Sequence, residues 1–225
     1  MESPSSQLFK LLDYPRGDLK EGERRFKLLS SYGVENLSFV SKGYRGVVFR
    51  GELSGKSVAV KLPRSDAGKE GITEKECSVL KYLGECLGER NPAPRVYLCT
   101  PEFLVMEWIE GLPFTEALQV YGKRALVSAL ESCYLLDTCG VEHSEIKGEK
   151  HLIYDGERTK VIDFESAKFK ENPRNLLQFA GYHLLRRREF LKRLQVDEGV
   201  LRSLLTLYKE NREEAFPKIL SLFDK

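Results

Sequence analysis

The stretch VEHSEIKGEKHLIYDGERTKVIDFESAK, from Val141 to Lys168, constrains this chain more than any other. It reads as a tight turn, a strand Leu152–Tyr154, a turn at Asp155-Gly156, a second strand Lys160–Ile162, and then Asp163-Phe164-Glu165. His143 and Glu145 stand just before the first strand, and Asp163 stands just after the second. A hairpin with carboxylates at both outer ends holds two acidic groups close together and rigidly. That arrangement suits proton transfer and metal binding.

Composition narrows the partners. The chain has 225 residues, enough for one large domain or two small lobes. A chain of this size buries roughly 70% of its unfolded surface, so it needs no staples. Charged residues make up 31%, but the net charge is only +2, which gives no global attraction to nucleic acid or membrane. No apolar run approaches the length of a membrane span, and MESPSSQLFKLL lacks a basic segment followed by a long apolar core, so no secretory signal is expected. Cys77, Cys86, Cys99, Cys133 and Cys139 form no C-x-x-C pair. This odd, scattered set predicts reduced thiols and a cytoplasmic location, and it disfavours zinc.

Residues 1–35 read as a helical extension, its second helix starting at Asp18 with Glu21 and stopping at Gly33. From Asn36 the pattern changes to strands at Leu37–Val40, Val47–Leu53 and Ser57–Leu62. Ser41-Lys42-Gly43-Tyr44-Arg45-Gly46 joins the first two. Its glycines permit close backbone approach to a phosphate, although a hairpin turn also wants glycine. In Val58-Ala59-Val60-Lys61, Ala59 and Lys61 share one face of the strand. A helix follows with Glu74, Glu76, Val79, Leu80 and Leu83. Thr73-x-x-Glu76 is also a capping box, which would turn Glu76 back on its own backbone and leave Glu74 to face the lysine. Arg95–Leu98 and Phe103–Glu107 read as strands, Pro113–Tyr121 and Lys123–Cys139 as helices.

These segments, in this order, resemble the protein-kinase-like superfamily. The Ser41–Gly46 loop with Val48 is similar to the glycine-rich loop, VAVK to V-A-I-K, LVMEWIEG to the segment joining the lobes, HSEIKGEK to H-R-D-L-x-x-x-N, and DFE to D-F-G. The resemblance implies a bilobal α+β fold with a small β-rich N-lobe (36–107) and a truncated helical C-lobe (112–225). It implies ATP and Mg²⁺ as cofactors. Ser41, Gly43, Gly46, Val48 and Ala59 would surround the nucleotide, with Met106 as gatekeeper, Glu107 and Ile109 offering backbone groups to adenine, and Leu152 as its floor. Lys61 and Glu76 would position phosphates, Asp163 would hold Mg²⁺, Glu145 would orient the attacking hydroxyl, and Lys147 would touch the transferring phosphoryl group.

The pattern departs from the family at the Asn position, which falls on Lys150, and an ammonium cannot ligate Mg²⁺. His151 beside it is a poor ligand for a hard cation. Either one metal is used, or Glu165 serves as a second ligand. About sixty residues follow Glu165, with helices read at Asn172–Leu185, Arg186–Gln195 and Val200–Asn211. This short C-lobe resembles RIO-like minimal kinases of archaea. The implied activity is Ser/Thr protein phosphorylation. I-D-F-E-x-A also resembles small-molecule phosphotransferases of the aminoglycoside and choline type, and Glu145 with Lys150 leaves a nucleotide-binding pseudokinase open. Arg186-Arg187-Arg188 with Lys192 and Arg193 form a basic cluster for an acidic or RNA-containing partner, or else a solvated helix face.

Overall fold

A computed structural model describes residues 4–67 and 72–223, and shows a mixed α/β protein. The chain divides into two compact units. The first comprises Met1–Tyr82 with Pro94–Trp108, and the second comprises Leu83–Ala93 with Ile109–Lys225. No described helix is long and apolar enough to cross a membrane.

The first unit opens with α1 (Pro4–Leu12) and α2 (Leu19–Ser31). Asp18 caps α2 through a hydrogen bond from the Glu21 amide at 2.9 Å. The strands are β1 (Val34–Lys42), β2 (Gly46–Leu53) and β3 (Lys56–Pro63). Helix α3 (Ile72–Leu87) follows, then β4 (Val96–Cys99) and β5 (Leu104–Glu107). The sheet order is β1-β2-β3-β5-β4, antiparallel throughout. Strand alternation sorts its two faces. Val47, Phe49, Val58, Val60, Leu62 and Val105 pack with Leu12 and Leu29 of the helical preamble into one core. The preamble therefore closes one sheet face and leaves the other to the residues between these.

The second unit begins with β6 (Leu112–Pro113), α4 (Phe114–Tyr121) and α5 (Lys123–Thr138). Strands β7 (Val141–Glu142), β8 (Leu152–Tyr154), β9 (Thr159–Val161) and β10 (Lys168–Phe169) come next. Helices α6 (Asn175–Phe179), α7 (Arg188–Arg193), α8 (Glu198–Glu210) and α9 (Arg212–Ser221) complete it. The expected hairpin is present as β8–β9, with Leu152 opposite Val161. Asp155 makes its turn by accepting from the Glu157 and Arg158 amides at 2.9 and 2.8 Å. Helix α5 buries Leu126, Leu130, Cys133 and Leu136, and docks the outer edge of β9. There Ser132 donates to the Thr159 carbonyl at 2.6 Å, and the Thr159 amide donates to Ser128 at 2.7 Å. Strands β7 and β10 pair, which ties together the two ends of the central stretch.

Several expectations need correction. The cysteines are not all free. Cys77–Cys99 lies within the first unit and Cys86–Cys139 within the second, and only Cys133 remains a thiol, buried in α5. Partners 22 and 53 residues apart leave no local spacing signal. The helix read at Asn172–Leu185 starts only at Asn175 and becomes a π-turn over Ala180–Leu185. Helix α9 was not expected, because Pro217 interrupts its pattern.

Candidate active site

In the first unit, β-register gathers one set of the named residues on the sheet face turned away from the helical preamble. Lys61 lies opposite Val48 on β2 and Leu104 on β5, and Ala59 lies opposite Met106. Directly opposed residues point the same way, so Val48, Ala59, Lys61 and Met106 share that face. Glu76, only 2% exposed on α3, meets Lys61 there. The ammonium donates to both carboxylate oxygens, at 3.0 and 2.8 Å. Glu74 is exposed. The capping box does not form, because α3 already includes Thr73 and its hydroxyl donates to the Pro101 carbonyl at 3.1 Å. Turned inward, Glu76 is left to the lysine.

The glycine-rich loop is the β1–β2 turn. Lys42 pairs with Val47, Ser41 with Val48, and the Gly43 amide donates to the Gly46 carbonyl at 2.8 Å. Gly46 is required sterically, since a Cβ there would strike the Leu62 carbonyl on β3; Gly43 faces open space. Ser41 and Gly43 are exposed. The Glu107 amide is bonded to the Arg95 carbonyl at 2.8 Å.

The second unit carries the acids. Two non-glycine residues sit at positive φ here, Ser144 at 71° and Asp163 at 69°, one beside each carboxylate arm. Such backbone strain persists only where its surroundings enforce it. His143 supplies that enforcement. It is fully buried, its Nε2 bonds the Ile162 carbonyl at 2.9 Å, and its Nδ1 accepts from the Glu145 amide at 3.3 Å. One ring thus braces both arms, and burial pushes its pKa down to about 4, which keeps it neutral. The His143 amide in turn donates to Asn175 at 2.8 Å, and Asn175 is held by Asp137. Asp137 accepts four hydrogen bonds, two from Asn175 at 2.8 Å, one from the Leu176 amide at 3.1 Å and one from Tyr208 at 2.8 Å. Burial pushes its pKa up to about 6 against the pull of those donors.

On this support, Glu145, His151 and Asp163 converge, their ligand atoms all within 4.8 Å of one another. Asp163 and Glu165 are likewise within 4.8 Å. His151 Nε2 lies 3.6 Å from Asp163 and 3.9 Å from Glu145. The Ser166 hydroxyl donates to Glu145 Oε1 at 2.5 Å. Neither His151 nor Ser166 was expected at the site. Lys150 and Lys147 are exposed on the same loop, and Leu152 is fully buried in β8. Ile109 is half-buried. In the basic cluster, Arg187 is paired with Glu149 at 2.8 Å and Arg186 lies over the Tyr182 ring, while the Arg188 side chain falls outside the described residues. As a donor set, three carboxylates fit a hard divalent cation and the imidazole fits a softer one.

No protein-family model matches the chain. It is similar to Uncharacterized protein MJ1211 of Methanocaldococcus jannaschii, with 34% identity over 74 residues, 31% of this chain and 64% of that protein. The chain thus spans less than two thirds of that relative's length. Among solved structures it is similar to the kinase domain of PF14_0431, with a TM-score of 0.42 and 14% identity over 60% of this chain and 51% of the other.

Proposed function

We propose that this chain is an ATP-dependent phosphotransferase of the protein-kinase-like type, transferring the γ-phosphoryl group to a protein serine or threonine hydroxyl. The observation that carries the reading is the buried Lys61–Glu76 pair. An ion pair taken out of water on a sheet face contributes little net stability, because desolvation offsets most of its attraction. Its use is positional: the carboxylate holds the ammonium extended beside Val48, Ala59 and Met106, the set a purine and its phosphates require.

In this reading ATP would supply the phosphoryl group, and Asp163, with Glu165 near it, would hold a Mg²⁺ ion whose charge offsets that of the phosphates. Lys61 positions the phosphates. Glu145 orients the incoming hydroxyl through Oε1, and the Ser166 hydroxyl at 2.5 Å already makes the bond such a substrate would make. His143 holds the two acidic arms in register. Base assistance of this kind contributes roughly 10²–10⁴-fold, and the remainder comes from positioning and charge. The Glu165 carboxylate beside Asp163 favours a second reading, a small-molecule phosphotransferase with the I-D-F-E-x-A pattern.

The test is label transfer from γ-labelled ATP in cell lysate, comparing the natural chain with Asp163→Asn and Lys61→Ala. Label in protein, lost in both variants, is the expected result. Label confined to small molecules selects the second reading. Equal transfer by all three proteins overturns the site.

A further inference from the structure

We infer that Glu145, His151 and Asp163 form a site for a divalent transition-metal ion of the Mn²⁺ to Zn²⁺ class, with His151 Nε2 as the ligand that selects it over Mg²⁺. The inference deepens the phosphotransfer reading and rests on it only for what the metal does, not for its binding.

His151 Nδ1 lies 3.0 Å from the Glu145 backbone carbonyl, which can only accept, so Nδ1 carries the hydrogen. Its Nε2 then faces the two carboxylates, at 3.9 Å from Glu145 and 3.6 Å from Asp163. These separations are too long for hydrogen bonds. A divalent cation among the three ligand atoms would meet both carboxylates and the ring nitrogen at once. Two metal–ligand bonds of about 2.1 Å at a tetrahedral angle put their donor atoms about 3.4 Å apart, close to the observed spacing.

The surroundings match what orients metal ligands. A ligating imidazole ordinarily donates its other N–H to a carbonyl, and a ligating carboxylate is itself hydrogen-bonded. His151 satisfies the first condition. Glu145 satisfies the second, for Oε1 takes the Ser166 hydroxyl while Oε2 faces His151. The two oxygens thereby divide their work, one toward a hydroxyl and one toward the metal. Glu145 and Asp163 are 47% and 38% exposed, so an ion can enter from solvent. Imidazole suits borderline transition metals, whereas Mg²⁺ takes oxygen ligands and water. Lys150, exposed one residue earlier, is not part of the set.

The test uses the full chain and metal alone. Mn²⁺ binding is followed by electron paramagnetic resonance, with pulsed detection of ¹⁴N coupling, and Mg²⁺ binding by competition. The bound Mn²⁺ is expected to show ¹⁴N modulation. His151→Ala should abolish it and weaken Mn²⁺ by at least about 10-fold, the low end of what losing even a ligand's hydrogen-bond partner costs, with Mg²⁺ affinity changed less than about twofold. Lys150→Ala should leave both unchanged, and Asp163→Asn should weaken both ions. Absence of ¹⁴N modulation in the natural chain, or equal weakening of Mn²⁺ and Mg²⁺ by His151→Ala, overturns the assignment. A nitrogen signature without label transfer would leave this site standing and remove the phosphotransfer reading. Label transfer without the signature would do the reverse.

Discussion

Replacing His183 with phenylalanine should make the protein's stability less sensitive to acid. His183 sits on the π-turn over Ala180–Leu185, 1% exposed, between the rings of Phe114 at 5.0 Å, Phe179 at 4.8 Å and Tyr182 at 4.9 Å. Neither ring nitrogen makes a well-formed hydrogen bond among the described residues, and the Lys147 backbone offers only a weak one. Burial, with Arg187 as a second cause, pushes its pKa down to about 4 from 6.5. A histidine whose folded pKa is depressed binds fewer protons folded than unfolded. Its penalty is absent above the unfolded pKa and grows as pH falls from about 6.5 to about 4. Between pH 7 and pH 5 that linkage amounts to about 2 kcal/mol. At pH 7 the substitution removes two poorly satisfied nitrogens, a gain of about 1–3 kcal/mol. It also adds ring volume to a packed site, a cost of about 1–3 kcal/mol. The two proteins should therefore be close in stability at pH 7, with the phenylalanine variant ahead by about 2 kcal/mol more at pH 5. Urea unfolding of both proteins at each pH reads this difference. Asp137, whose folded pKa is raised, gains stability over the same window, but it is present in both proteins and cancels. A gap that stays constant or narrows on acidification would refute the reasoning, because the ring would then be protonated or partnered inside the fold.

Three further outcomes are open to measurement. Removing Cys86–Cys139, which closes a 53-residue separation, should cost about 4 kcal/mol on chain-entropy grounds, and thermal unfolding of the Cys86→Ser, Cys139→Ser double variant against the natural chain, both without reductant, checks it. Asp137→Asn replaces an acceptor by a donor against groups that all donate, so unfolding free energy should fall by about 3 kcal/mol. Label transfer should fall as well, since Asn175 and His143 lose their support. Lys61→Met takes the ammonium from buried Glu76 and should cost about 3 kcal/mol or more. The double variant Lys61→Met, Glu76→Leu should recover most of that stability but no nucleotide binding, as fluorescent-nucleotide titration would show.

Which parts of this structure were readable from residues follows from the range of the forces involved. The β8–β9 hairpin was legible because Asp155-Gly156 carries its turn locally. The Lys61–Glu76 contact was legible only as one of two alternatives. Spacing allowed a cap or an ion pair, and the Pro101 carbonyl, distant in sequence, decides by taking the Thr73 hydroxyl. The Asp137–Asn175–His143 relay and the two disulfides carried no local signal, since each joins residues tens of positions apart.

The mismatch at Lys150 and His151 has a different origin. Counting from Glu145 places the metal-ligand position on Lys150, and the count is correct as a count. Glu149–His151, however, is a turn of 3₁₀ helix, with three residues per turn, so successive side chains point about 120° apart. One step along such a turn exchanges the face toward the acids for the face toward solvent. Gly148 sets which residue turns inward. Its amide and His151 Nδ1 both bond the Glu145 carbonyl, at 2.9 and 3.0 Å, which closes the loop with the imidazole inside and the lysine outside. A sequence pattern records which residues are available at a site, whereas the hydrogen bonds of the turn select among them.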